Sequence, residues 1–171
     1  MAKILPQKFF NRPTLRVAEE LLGKFLIRRI GAQTISAMIT EVEAYVGPDD
    51  KASHALRGKT KRTEVMFGKA GYWYPYLIYG MYYCLNIVTE KKEYPAAILI
   101  RSVECVTGPG RVCRYFKIDK RFNAMPANKK TGLWIEDREV VTPSRAIKRG
   151  KRIGVDYAGK WKHKLWRLYI K

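Results

Sequence analysis

Residues 70–89 carry no charged side chain, and in a chain with 34 Lys+Arg and 15 Asp+Glu such a gap limits what can be built around it. The stretch is long enough to cross a bilayer as one helix. Six tyrosines (72, 74, 76, 79, 82 and 83) together with Gly71, Pro75, Gly80 and Asn86 argue against that use, because a span would have to hold too many polar groups in hydrocarbon. Tyr79-Gly80 instead divides the stretch into two β-prone runs, about 72–78 and 81–88, which predicts a hairpin.

The flanking segments supply partners for that hairpin. Residues 13–22 read as an amphipathic helix, with Pro13 suited to a first helical position and Gly23 to the stop. Strands are expected at 25–30 and 34–46, joined by a turn at Gly31, and at 96–103 and 166–170. Residues 47–64 are polar and basic, hence a surface loop, and Thr107-Gly108-Pro109-Gly110 opens a basic helix to about Ile118. The sum is α+β: a mostly antiparallel sheet with a few helices, in one domain covering 1–171.

The formal net charge is +19. Such an excess repels itself in the folded state, so a polyanionic partner is expected, nucleic acid first and an anionic membrane surface second. The plainer account is a charge-biased protein with no such partner. Cys84, Cys105 and Cys113 form an odd set without a C-x-x-C pair, and two histidines cannot complete a zinc pattern. They read as buried free thiols of a reducing compartment. The first residues lack the apolar core of a signal peptide, so a secreted protein is not expected.

Glu41, Glu43 and Tyr45 alternate along one strand and share a face. Two carboxylates in an apolar strand must be paired or used. From spacing alone, pairing with some of the many Lys/Arg is the simpler account, since structural ion pairs outnumber catalytic carboxylates. Tyr79 at the hairpin tip has the geometry of a wedge for a base stack, or of a ring folded back on its own sheet. Gly108-Pro109-Gly110-Arg111 offers free N–H groups to a phosphate, though Gly-Pro also simply starts helices. Residues 145–171 hold ten Lys/Arg against one acid, Asp156, a density suited to tracking phosphates. Trp161 and Trp166 read as core.

Glu41-Val42-Glu43-Ala44-Tyr45-Val46-Gly47-Pro48-Asp49, His54, Met66-Phe67 and Tyr74 to Asn86 together resemble the alkyladenine (methylpurine, 3-methyladenine) DNA glycosylase family. Leu99-Ile100-Arg101, Gly108-Pro109-Gly110-Arg111 and Arg152 to Gly159 continue the resemblance, in order, from Phe9 to Tyr169. It implies a curved, open-barrel-like sheet with a protruding hairpin. It also implies base excision repair: an alkylated or deaminated purine is flipped out of double-stranded DNA, and water hydrolyses its N-glycosidic bond. Carried over residue by residue, Glu43 takes the place of the general base and Arg101 that of the arginine beside the water. Tyr45, His54 and Tyr76 match the base pocket, and Asn86 the asparagine that rejects normal guanine. Tyr79 matches the inserted finger, flanked by Met81 and Tyr82. Arg111 and Lys120 match phosphate contacts, and Lys59 and Thr60 a DNA-contacting loop.

The resemblance further implies no metal or organic cofactor, a monomer without an obligate protein partner or membrane, and residence with the DNA in cytoplasm or nucleus. Lys61, Thr63 and Leu165 depart from the residues common in relatives (Pro, Asn and Pro), and the segment between Arg101 and Gly108 is shorter than in many of them. Two rivals keep the basic surface but change the chemistry. In one, a lysine attacks the sugar and the strand is then cut, although no lysine is placed by motif beside the pocket residues. In the other, the tyrosines stack bases without any reaction, a use that Glu41 and Glu43 oppose because acids repel phosphate.

Overall fold

The structure is a computed structural model that describes residues 1–170. In chain order its elements are β1 (Lys3–Ile4), α1 (Gln7–Phe10), α2 (Thr14–Leu21), β2 (Phe25–Ile30), β3 (Gln33–Val46), β4 (Trp73–Ile78), β5 (Tyr82–Val88), β6 (Ala96–Val103), β7 (Val106–Thr107), α3 (Pro109–Tyr115), β8 (Leu133–Asp137), β9 (Lys148–Gly150) and β10 (Arg167–Tyr169). The architecture is α+β, as expected. Every strand pairing is antiparallel, and the sheet runs β1-β8-β2-β3-β6-β5-β4 without closing. The 14-residue β3 organises it, pairing with β2 through Gln33–Met38 and with β6 through Ile39–Val46. β10 takes the other edge of β3 at Glu41, Val42 and Glu43, and carries β9 outside it.

Alternation along these strands separates two faces. Val42, Ala44, Leu85, Ile87, Ile98, Ile100 and Trp73 are fully buried on one of them, packed with Val17 and Leu21 of α2 and with Val112 and Phe116 of α3. Burying each such large side chain contributes roughly 1.5–3 kcal/mol. The other face is free to carry function. A single cross-sheet row on it reads Tyr74, Asn86, Leu99, Glu43, Arg167, from β4 to β10.

Tyr79 and Gly80 join β4 to β5 with φ of 52° and 65°, the all-positive pattern of the type I′ turn that suits hairpin twist. No helix among the described residues is long and apolar enough to cross a membrane, and the charge-free stretch is used as this hairpin.

Some expectations shift. Pro13 caps α2 from outside, and Thr14 is its first residue. α3 stops at Tyr115, short of Ile118, because Lys117 turns to φ 51°. The basic loop 47–64 coils into short 3-10 turns, His54–Arg57 and the start of Glu64–Phe67. β8, β1, β7 and β9 have too little apolar alternation to announce themselves in the sequence. Cys84 and Cys113 are buried, whereas Cys105 is exposed in the turn before β7. Trp161 and Trp166 are half-buried and pack edge to face at 5.9 Å.

Candidate active site

Glu43 sits mid-strand between β6 and β10 with its side chain wholly buried. Its Oε1 accepts the Ile153 N–H at 2.8 Å and its Oε2 the Tyr45 hydroxyl at 2.8 Å. Burial pushes this carboxyl above the usual glutamate range, and the Arg101 charge, the Ile153 N–H, the Tyr45 hydroxyl and the Arg152 charge only partly oppose that. Arg101 enters through an irregularity: the β3–β6 register skips it, with Ile100 opposite Val42 and Ser102 opposite Glu41. Bulges of this kind re-aim a side chain. Arg101 Nη1 lies 3.4 Å from Glu43 Oε1, and its Nε 3.5 Å from Glu41 Oε1.

Beside this pair stands an aromatic stack. The Tyr45 and His54 rings are nearly parallel (13°) with centroids 6.5 Å apart, while His54 and Tyr76 stack directly at 3.5 Å. The first gap is therefore close to two stacking distances, a slot for one planar ring. Tyr74 meets both His54 and Tyr76 edge-on, and its buried hydroxyl has no partner among the described residues. Between Tyr45, His54, Tyr74, Cys84, Asn86 and Leu99 lies a cavity of about 50 Å³, smaller than a purine, so the walls must part to admit one. A groove of about 510 Å³ runs alongside, sharing His54 and lined also by Tyr76, Lys51, Arg57 and Arg62.

The electrostatics of the walls are settled by burial. It holds His54 down to about 4, with Arg62 adding to the effect, so the ring is neutral at pH 7. It raises the Tyr45 phenol well above 10, helped by Glu43, so Tyr45 remains a hydroxyl donor. Asn86 donates Nδ2 to the carbonyls of Tyr74 and Cys84, both at 3.1 Å, which fixes its amide at the cavity wall.

The remaining sequence candidates lie around this site. Tyr79 is 88% exposed at the hairpin tip, with Met81 and Tyr82 exposed beside it. A Cβ at Gly110 would stand 3.2 Å from the Tyr82 Cβ, so this glycine lets the start of α3, and Arg111 with it, approach the hairpin. Lys120 is exposed on a groove bounded by Lys61, Arg62, Tyr76 and Tyr83. Lys59 is paired with Glu93 at 3.1 Å, an exposed pair that is easily exchanged. Thr60 is tied to the buried Thr63 through both N–H and hydroxyl, so Thr63 closes the loop.

Several contributors were given no role by the sequence reading. Arg152 grips Asp50 with two prongs, 2.6 and 2.9 Å, and lies 5.0 Å from the Tyr45 ring on its way to Trp166. Arg62 covers Tyr76 at 3.9 Å. Arg167 reaches Glu41 at 2.9 Å. Tyr74 could have been anticipated, since it alternates with Tyr76 on the strand, and Arg152 opens a block that carries the resemblance.

Comparison with known proteins gives a consistent result. The family model described as methylpurine-DNA glycosylase (MPG) matches residues 8–108 and 104–171, the two matches overlapping across the β6–β7 turn and β7. A protein of Methanocella arvoryzae named "Putative 3-methyladenine DNA glycosylase" is 43% identical, over 98% of this chain and 92% of its own length. Proteins of the same name from Legionella pneumophila (strain Corby) and Clostridium perfringens (strain SM101) are 44% and 38% identical, each over 98% of this chain and over 94% and 95% of their own lengths.

Proposed function

Because this chain belongs to the methylpurine-DNA glycosylase family, we propose that it removes alkylated or deaminated purines from double-stranded DNA by using Glu43 to activate water beside the aromatic slot. The observation that carries the reading is the join between the two: Tyr45 is one wall of the slot and donates directly to Glu43 at 2.8 Å.

The everted purine stacks between Tyr45 and His54. Cationic alkylated bases gain from such π faces, and a neutral His54 does not oppose them. The fixed Asn86 amide is a rigid obstacle to the exocyclic amine of guanine. As the C1′–N9 bond lengthens, its electron pair leaves on the purine and positive charge grows on the deoxyribose. A water oxygen bonds to C1′, its proton passes to Glu43, and the carboxylate stabilises the charge meanwhile. Arg101 steadies that water and the flipped nucleotide. Burial that raises Glu43 also makes it the stronger base.

Flipping costs a few kcal/mol of stacking and pairing, least at damaged or mispaired bases, and an inserted Tyr79 offsets part of it. Met81 and Tyr82 flank it in the minor groove, while Arg111, Lys120, Lys59 and Thr60 meet the backbone, in keeping with a net charge of +19. The residues lining the slot include no lysine, which favours hydrolysis over attack by a lysine. A monomer acting on duplex DNA meets all these requirements.

The test uses oligonucleotide duplexes, each with one hypoxanthine, ethenoadenine, 7-methylguanine or 3-methyladenine, scored for abasic sites. Glu43→Gln is expected to lower release by about 10²–10⁴-fold while duplex binding persists. Normal excision by that variant would overturn the mechanism.

A further inference from the structure

Glu41 is the second carboxylate on the site face of β3, and base release as described gives it no task. An arginine beside a buried carboxylate ordinarily closes onto it with two prongs, as Arg152 does on Asp50 at 2.6 and 2.9 Å. Arg101 does not. It stands 3.4 Å from Glu43 and 3.5 Å from Glu41, and its Nε makes no hydrogen bond among the described residues. Its charge is shared between two acids and its fork is committed to neither.

Glu41 is itself anchored on two sides. Its Oε2 accepts the Ser102 hydroxyl at 2.7 Å, and its Oε1 accepts Arg167 Nη1 at 2.9 Å from β10. The Ser102 oxygen in turn accepts the Gly108 N–H at 3.4 Å, at the start of α3. A carboxylate held this firmly can restrain a neighbour. We propose that Glu41 is a positioning residue, which holds the Arg101 guanidinium off Glu43 so that the general base keeps an unblocked lone pair and its basicity. The inference rests on the glycosylase reading above.

The groups facing Glu43 are Tyr45 from its own strand, Arg101 from β6, Cys84 from β5, Arg152 beyond β9 and Arg167 opposite it on β10. Against that fixed surround, neutralising Glu41 releases Arg101 to close on Glu43. A closer guanidinium favours the ionised carboxylate, so the acid limb of the pH–rate profile moves to lower pH while the weaker base works more slowly.

The experiment measures single-turnover release of hypoxanthine from a duplex across pH, for the wild type, E41D and E41Q. E41D keeps the charge but draws it back from Arg101, so it shifts the limb slightly. E41Q shifts it by about one pH unit and lowers the maximal rate by about tenfold, with affinity for a duplex holding a stable abasic-site analogue unchanged. Loss of a merely structural contact would weaken binding or folding and leave the limb in place. A folded E41Q with an unshifted limb overturns the proposal, as does an E41D that shifts it as far as E41Q. A wild type that releases no lesion at all would overturn the glycosylase reading instead.

Discussion

Asp50 and Glu43 are both carboxylates with no exposed surface, and both lie near an arginine, yet the protein treats them in opposite ways. Asp50 is saturated: two prongs of Arg152 at 2.6 and 2.9 Å, and the N–H groups of Val46 and Ala52 at 3.1 Å each. Glu43 receives one backbone N–H and one phenol, and its arginine stands 3.4 Å away. A structural ion pair spends every lone pair on partners. The base proposed here, Glu43, is buried as deeply but left with basicity to use. The two are also mechanically linked. Arg152 backs the Tyr45 wall, and the Asp50 turn leads into the short 3-10 turn that presents His54 as the other. The clasp thus supports the slot beside Glu43.

The largest expected effect tests that division of labour. Asp50→Asn leaves the Arg152 charge buried and half-partnered, and should destabilise the fold by roughly 3–5 kcal/mol. At roughly 2–4 °C per kcal/mol for a chain of this size, thermal unfolding would come on the order of 10 °C earlier. Glu43→Gln should behave in the opposite way at neutral pH, lowering release by about 10²–10⁴-fold with no loss of melting temperature. Burial opposes charge on Glu43, so its contribution to stability is present at low pH and is lost as pH rises through its raised value. Equal melting temperatures for Asp50→Asn and wild type would refute the structural role given to the clasp.

A smaller effect separates the walls. His54 titrates against the fold in the other sense from Glu43. Its folded value is about 4, below the ordinary 6.5, so the unfolded chain takes up a proton that the native ring refuses. The stability this contributes is full above pH about 6.5 and falls away as pH drops toward 4. His54→Phe keeps a planar ring without the proton site. It should remove on the order of 2 kcal/mol of the acid-side loss, discounted for the ring's partial exposure, as read by denaturant melts at pH 7 and pH 4.5. An unchanged difference between those two melts would mean that other groups carry the acid sensitivity.

What the sequence could disclose follows from how far apart the determinants lie. The period-two pattern of β3 and the Tyr79-Gly80 break are local, so the strand, its shared face and the hairpin were readable. The Asp50–Arg152 clasp joins residues 102 apart, and no local pattern encodes it. Arg101 was expected near Glu43 only through the family resemblance, because the irregular register that aims it depends on how β6 meets β3. Spacing put Glu41 and Glu43 on one face but could not rank them. Exposure and partners do so: Glu41 keeps 14% of its side chain exposed and is ringed by Ser102, Arg167 and Arg101, and Glu43 keeps none.

The hairpin tip repeats the contrast on the surface, at the scale of about one kcal/mol. Tyr79 holds φ 52° while 88% exposed, so it gains nothing from the core to offset the left-handed conformation. That conformation costs an ordinary L-residue roughly 1–2 kcal/mol, and asparagine less. Strain kept at an exposed aromatic points to use. Tyr79→Asn should therefore raise stability by about 0.5–1 kcal/mol while slowing release from a duplex severalfold. A wedge acts only where there is a stack to fill, so release from a single-stranded oligonucleotide carrying the same hypoxanthine should hardly change. If both substrates slow equally, the ring serves general binding, and the tip does not share the slot's exchange of stability for function.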